Sequence, residues 1–374
     1  MSKGFKIFAL ILSFCILFSS CTTSRHLKDL VIVEGMGIDQ RDDKVSVTLQ
    51  TLNVGINNGS QTPQGNMTVN TEKEGSSITD SINNLSKSLS KRIFFGQNKL
   101  IVIGKELAEK DFTGNIDFFM RSADARSDVA VCISYSEAKD IIESKENDAS
   151  VPCENILYLI QNNEKSGLCT YITTEQILNL YADKTSDIFI PVLEKKKKEN
   201  VSTKGIGLFS KDKLVYVTDD EETTGFVILA DKAKDIAIET KDDKLGKIGV
   251  KIFEIKCKKS ASSQNGTVLL KVTVSADMIV DEIEKGIGEK MTQEDLGRIC
   301  TDVENRISEL CSKAFSACQK YNSDSVRLGE QLAKDDPDAY GAMSDSWDKY
   351  FQDSKIEVKA NIHLKKISDS TQLE

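Results

Sequence analysis

The chain of 374 residues has two histidines, His26 and His363, near opposite ends. Imidazole serves most neutral-pH acid–base and nucleophilic sites and many metal centres, so Ser–His–Asp, Cys–His and zinc-type chemistry have almost nothing to build on. An excess of cations is also missing: 49 Lys and Arg stand against 58 Asp and Glu, a net charge of −9. A general nucleic-acid binder relies on Lys and Arg to neutralise phosphates, and this balance argues against one while leaving room for a local basic patch. Beyond the first twenty residues no hydrophobic run is long enough to span a bilayer. The nine cysteines include no CxxC pair and have no histidine near them, which leaves neither a disulfide framework nor a zinc site in view.

The N-terminal segment is the most specific local signal. MSKGFKIFALILSFCILFSS opens with Lys3 and Lys6, continues with an apolar run from Ile7 to Phe18, and ends in small residues before Cys21. This pattern is a secretory signal over 1–20, too short for an ordinary spanning helix. Ser19-Ser20-Cys21 resembles a bacterial lipobox, in which cleavage leaves a diacylglycerylated cysteine as residue one; Phe18 stands where a leucine is usual. Lipidation at Cys21 followed by a tether over 21–28 is therefore expected. Loss of Lys3 and Lys6 moves the net charge from −9 to −11. Two acyl chains, at about 0.8 kcal/mol per buried methylene, make a stable anchor. With Cys15 and Cys21 accounted for, seven cysteines remain, expected as small buried apolar residues, with a Cys153–Cys169 bridge left open.

The remaining length exceeds what a single core usually supports, so more than one domain is expected. DLVIVEGMGIDQRDDKVSVTLQTLN reads as a β-hairpin turning at QRDDK, followed by a polar loop over 54–70. Ile78, Ile82, Leu85 and Leu89 mark an amphipathic helix. Strands at Leu100–Ile103 and Val129–Ser134 alternate with helical patterns near Ile116–Met120 and over Glu137–Glu143. Residues 150–200 read as largely helical, ending in the strand-like IFIPVL and the run Lys195–Lys198, flanked by Glu194 and Glu199 and expected as a solvated linker. In the second half GIGLFSKDKLVYV reads as a hairpin, and GFVILA, Ile248–Ile255 and Val268–Val274 as strands. CKKSASSQNG, Cys257–Gly266, reads as a polar loop. Thr292 and Asp295 form a capping-box pattern before a long helix whose apolar stripe runs from Leu296 to Tyr321, suited to packing on the sheet of its own domain. IEVKANIHLKK reads as a closing strand that carries His363. These readings divide the chain into an N-terminal α+β region, 29–199, and a C-terminal one, 200–374.

Several segments together resemble a known family. HLKDLVIVEGMGIDQ after Cys21 is similar to an opening strand that ends in Gly37, Ile38 and Asp39. KRIFFGQNKLIVIGKELA resembles a turn of arginine, phenylalanine, glycine and asparagine feeding a strand, here Arg92, Phe94, Phe95, Gly96 and Asn98. DFFMRSADAR resembles an element with Asp117, Arg121 and Arg126, with Ser122 in place of the usual Asp and Asp124 two residues later. TKGIGLFSKDKLV and DSVRLGEQL with Trp347 resemble later motifs. On these residues the chain is identified as resembling the spore germination lipoprotein C family, Ger(x)C. The resemblance implies an α+β fold of three packed domains with mostly antiparallel sheets. It also implies a non-enzymatic subunit of a nutrient germinant receptor on the outer face of the spore inner membrane, with integral-membrane A and B subunits as partners and no cofactor. Read as residues, Gly96 is expected to supply a turn conformation and Phe94 and Phe95 to anchor it. Arg92, Arg121 and Arg126 beside Asp117 and Asp124 form either a partly buried charge network or a partner-facing patch. Two other classes stay in view: a surface-anchored lipoprotein that captures a small nutrient directly, and a carboxylate hydrolase, for which no acid pair is localised.

Overall fold

The computed structural model describes residues 29–53, 67–110, 126–144, 151–196, 200–285 and 292–367, with the single positions Gly4, Phe112, Gly114 and Phe118. The signal, Cys21 and the tether, the helix expected near Ile116–Met120, and Asp117 and Arg121 lie outside the described residues, as do most of the 54–70 loop and Lys197–Glu199 of the lysine run.

The chain begins with β1 (Leu30–Arg41), β2 (Lys44–Leu52) and β3 (Thr68–Gly75), then α1 (Ile78–Ser88), β4 (Arg92–Phe94), β5 (Leu100–Gly104) and α2 (Lys105–Lys110). It continues through β6 (Ala130–Ser134), α3 (Ala138–Ile142), α4 (Pro152–Lys165), α5 (Thr174–Ala182), β7 (Phe189–Lys195), β8 (Val201–Ser210), β9 (Lys213–Val217) and α6 (Asp220–Leu229). The last part contains β10 (Asp235–Asp242), β11 (Gly246–Gln264), β12 (Thr267–Ile283), α7 (Gln293–Lys320), α8 (Leu328–Asp335), α9 (Pro337–Met343), a 3-10 turn, α10 (Trp347–Gln352) and β13 (Lys355–Ile367).

The fold is α+β, and its described strands form two sheets. The larger has nine strands in the order β3-β2-β1-β5-β6-β7-β8-β9, with β4 beside β1; the smaller runs β10-β11-β12-β13. Antiparallel hairpins flank the larger sheet, but its centre, β1-β5-β6-β7, is parallel. Parallel strands are covered on both faces, and this explains why LIVI and AVCI read as unbroken apolar runs. Leu100, Val102, Ala130 and Cys132 point into one core with α3 and α4, while Ile101, Ile103, Val131 and Ile133 point into the other. The core with α3 and α4 also takes Cys153 and Cys169, and all seven described cysteines are free, five of them buried. The division drawn between residues 199 and 200 falls in the connection from β7 to β8, which pair within one sheet.

The principal core does not stop at the edge of the larger sheet. It runs without a break from Val33 and Ile38 through α6 to Ile248, Val272, Ile307 and Ile362 of the smaller sheet and its helix. The bridge is α6, and here the expectation of a strand at GFVILA is corrected. Asp219 accepts from the Glu222 amide and Glu222 reaches back to the Asp219 amide, a capping box that starts a helix. Gly225 through Leu229 are all buried, so this half of the helix carries no polar face, and the stretch has no 3.6-residue period to betray it. A Cβ on Gly225 would lie 1.9 Å from the Leu310 carbonyl oxygen, so glycine lets α6 cross α7 closely. Phe226 meets Phe189 of β7 edge-on at 5.1 Å, which joins the helix to the larger sheet.

Helix α7 begins at the expected Thr292–Asp295 capping box and buries Leu296, Val303, Ile307, Leu310 and Ala314. The Cys257–Gly266 reading is also corrected: β11 continues to Gln264 and turns at Asn265 and Gly266, both at positive φ, a tight hairpin turn. Beyond the end of β10 the open edge of β11 is met by side chains, the Cys257 amide donating to Asp231 (2.8 Å) and the Ala261 amide to Asp335 (2.8 Å). The closing strand is found, parallel to β12, with His363 opposite Asp277.

The close crossing yields a test. Gly225→Ala is expected to lower unfolding stability by about 1–3 kcal/mol through overpacking, measured by urea titration; an unchanged midpoint would show that α6 and α7 separate freely.

Candidate functional site

The Gly37-Ile38-Asp39 segment lies on β1 and faces α3. Asp39 accepts hydrogen bonds from the first amides of that helix, Ala138 (2.6 Å) and Lys139 (3.0 Å). Burial pushes its carboxyl up to about 6, against the opposing pull of those two amides. Gln50 of β2 completes the docking: it accepts from the Cys153 amide (3.1 Å) and donates to the Ile142 carbonyl (2.9 Å). The opening motif is thus a seat for α3 and α4.

The segment KRIFFGQNK forms β4 and a turn in which the Asn98 amide donates to the Phe95 carbonyl (2.9 Å). Phe95 packs edge-on to Phe118, with ring centroids 6.4 Å apart, and both lie against the principal core. Phe94 is half-buried and Arg92 exposed. Gly96 is not at positive φ, so the expectation of a special turn conformation is corrected: a Cβ there would lie 2.3 Å from the tip of the Phe94 ring. Asn98 is buried and its Oδ1 has no hydrogen-bond partner among the described residues. Arg126 makes a two-point contact with Asp128 (2.8 and 2.6 Å) at the surface. Its partner is therefore its near neighbour, at an exposed position. Lys99, unremarked in the sequence, joins the buried Glu34 (3.0 Å) to Glu154 of α4 (3.2 Å).

The later motif DSVRLGEQL builds a second node. Asp324 is fully buried and accepts from the Leu328 amide (2.8 Å), the Gly329 amide (2.7 Å) and Trp347 Nε1 (3.0 Å). Its own amide donates to Asp187 (2.7 Å), which also accepts from the Lys211 amide (2.9 Å) at the β8–β9 turn. Burial raises the carboxyl of Asp324 to about 7 in spite of the three donors, and Asp187 nearby adds to the rise. Burial likewise raises Asp187. Gly329 lies against the Thr185 carbonyl oxygen, 2.4 Å from where a Cβ would sit. This node fastens α8 and α10 to the larger sheet. Asp187 carried no signal in the sequence, because its partner is 137 residues away.

Beside the node lies an open cleft of about 260 Å³, lined by Ile172, Leu180, Phe189, Asn179, Lys232 and Arg327 among others. Lys232 is held by Glu164 and the Tyr171 carbonyl, and Arg327, at φ 64°, pairs with Glu330. Among the described residues no group of three or more His, Cys, Asp and Glu is placed to hold a metal ion, and no helix is long and apolar enough to cross a membrane.

Two sheets bridged by a buried helix define a two-part α+β protein, and the comparisons identify its class. Residues 23–195 match the spore germination protein N-terminal domain, and residues 204–368 match the C-terminal domain described as spore germination B3/GerAC like. The gap between the two matches falls at the β7–β8 connection. Spore germination protein KC of Bacillus subtilis is 23% identical, with 94% of this chain and 93% of the relative covered. Spore germination protein B3 of the same organism is 20% identical over 99% of this chain and 98% of that relative. A solved structure titled "Crystal Structure of the GerBC protein" shares the fold at a TM-score of 0.56 and 16% identity, covering 88% of this chain and 96% of the other. The chain belongs to the Ger(x)C family of spore germination proteins.

A carboxyl whose pKa rises on folding holds its proton more tightly in the folded chain. Its contribution to stability is greatest below the unfolded value near 3.8 and declines as pH rises through about 7 for Asp324 and about 6 for Asp39. Asp324→Asn is expected to flatten the fall of melting temperature over that range; an unaltered slope would mean that Asp324 titrates normally. Trp347→Phe, which removes one donor and some packing, is expected to cost about 1–3 kcal/mol in denaturant unfolding.

Proposed function

We propose that this chain is a non-enzymatic lipoprotein subunit of a nutrient germinant receptor, anchored through Cys21 on the outer face of the spore inner membrane and working with integral-membrane A and B subunits in receptor assembly or signalling. The observation that carries this reading is the match of both halves of the chain, in order, to spore germination domains. The signal and lipobox pattern before Cys21 supports the anchor. Asp39, Asp324 and Trp347 of the family-like motifs are used in docking helices, as expected of a rigid interaction subunit. Deletion of the gene is expected to abolish germination in response to the cognate nutrient, with rescue by the wild-type gene and impaired rescue by Cys21→Ala. Normal germination of the deletion in a strain with no paralogue would refute the proposal.

A second reading, a surface lipoprotein that captures a small nutrient itself, is favoured by the cleft between Ile172, Phe189 and Arg327. Calorimetric titration of the purified chain with candidate nutrients separates the two: the receptor-subunit reading expects little or no heat, the capture reading a saturable isotherm that Asn179→Trp, placed to fill the cleft, removes.

A further inference from the structure

The face of the smaller sheet turned away from α7 has a charge pattern that the function above leaves unused. On strands β11, β12 and β13, residues directly opposite one another share a face. The register places Lys258, Thr273 and Lys359 in one row, Ser260, Lys271 and Glu357 in the next, Ser262, Leu269 and Lys355 beyond it, and Lys256, Ser275 and Asn361 on the other side. The intervening residues Val268, Leu270, Val272 and Val274 are buried in the core, so these rows look outward. Lys256, Lys258, Lys271, Lys355 and Lys359 are all exposed. None of the five is in an ion pair among the described residues, and Glu357 is the one acid within those four rows.

The other end of the same face is different. There Lys247 pairs with Glu239 (3.1 Å), Lys251 with Asp235 (2.9 Å) and Lys365 with Asp277 (3.2 Å). Lysines at one end of the sheet are neutralised in pairs, and at the other five are gathered around the single acid Glu357. Strands lie about 4.8 Å apart and alternate residues about 6.8 Å apart, so these ammonium groups are based at about a Debye length, ~8 Å, from their nearest neighbours. A chain with a net charge of −9 has acids in excess, yet the fold brings almost none of them here. An anionic surface would relieve the repulsion. The patch is broad and pleated, made of long flexible side chains over serine and threonine, with Leu269 and the buried valines supplying no groove. It suits an extended layer of negative charge better than a shaped peptide.

We propose that this sheet face lies against the anionic phospholipid headgroups of the membrane to which the chain is anchored, fixing the orientation of the C-terminal half on the bilayer. The inference rests on the membrane-anchored reading and adds to it a defined contact surface. The test is amine acetylation of the full lipidated chain in vesicles of phosphatidylglycerol mixed with phosphatidylcholine and in vesicles of phosphatidylcholine alone, read lysine by lysine in a mass spectrometer. Flotation reports anchoring in the same samples.

The expected result is several-fold slower acetylation of Lys256, Lys258, Lys271, Lys355 and Lys359 on the anionic vesicles, reversed by high salt, while Lys44 and Lys211 react equally on both. Combined Lys258→Glu, Lys271→Glu and Lys359→Glu substitution should restore fast labelling of Lys256 and Lys355 with the folded circular-dichroism spectrum unchanged. Equal labelling on both vesicles by a chain that floats with each would overturn the inference and leave the anchor standing. A chain that floats with neither would overturn both. Protection seen only in native spore membranes and absent from anionic vesicles would assign the face to a protein and also overturn it.

Discussion

Burial of the second half of α6, Gly225–Leu229, on every side is the constraint on which the rest of this structure depends. A helical stretch with no polar face must be enclosed, and here the enclosure is made by β8 and β7 of the larger sheet, β11 of the smaller, and α7. The segment that follows it extends the tie. The Lys234 amide donates to the Lys165 carbonyl at the end of α4 (2.9 Å), Lys232 reaches Glu164 and the Tyr171 carbonyl, and Asp231 meets the free edge of β11. Helix α6 and this segment together touch α4, β7, β8, β11 and α7, which makes the two sheets parts of one core.

The Asp187–Asp324 node works beside this core in a different way. It lies at the opposite end of β7 from the β7–β8 connection, and it spends three donors on a carboxyl that burial would otherwise leave exposed to a large desolvation cost. The stacking of Tyr216 on Tyr321, at 4.1 Å, joins β9 to the end of α7 nearby. Hydrophobic enclosure holds the centre, and directional polar contacts set how the terminal helices meet the larger sheet.

Much of the fold was legible wherever a local signal named its element. The capping box at Thr292, the apolar period of Ile78–Leu85, the alternation in Lys355–Lys365 and the punctuated hairpin at Ser210–Lys213 all correspond to elements found there. GFVILA failed because a wholly buried helix and a buried strand have the same apolar composition, and Asp219 with Glu222 was the overlooked cue. Cys257–Gln264 failed because a strand with one wet face and a side-chain-capped edge can be as polar as a loop. For the site, the motif residues Asp324 and Trp347 were visible, whereas Gln50, Lys99 and Asp187 acquire meaning only from partners distant in the chain.

By itself the sequence determined the scarcity of imidazole chemistry, the α+β class and the family, because each of these resides in local pattern or composition. Only the tertiary structure decided that the two halves share a core, that Gly96 is kept small by the Phe94 ring, that Arg126 pairs with Asp128, and that five lysines from three strands share one face with a single acid. The physical reason is the same in each case: burial, steric contact and charge density depend on distances between residues, and the chain order alone does not contain those distances.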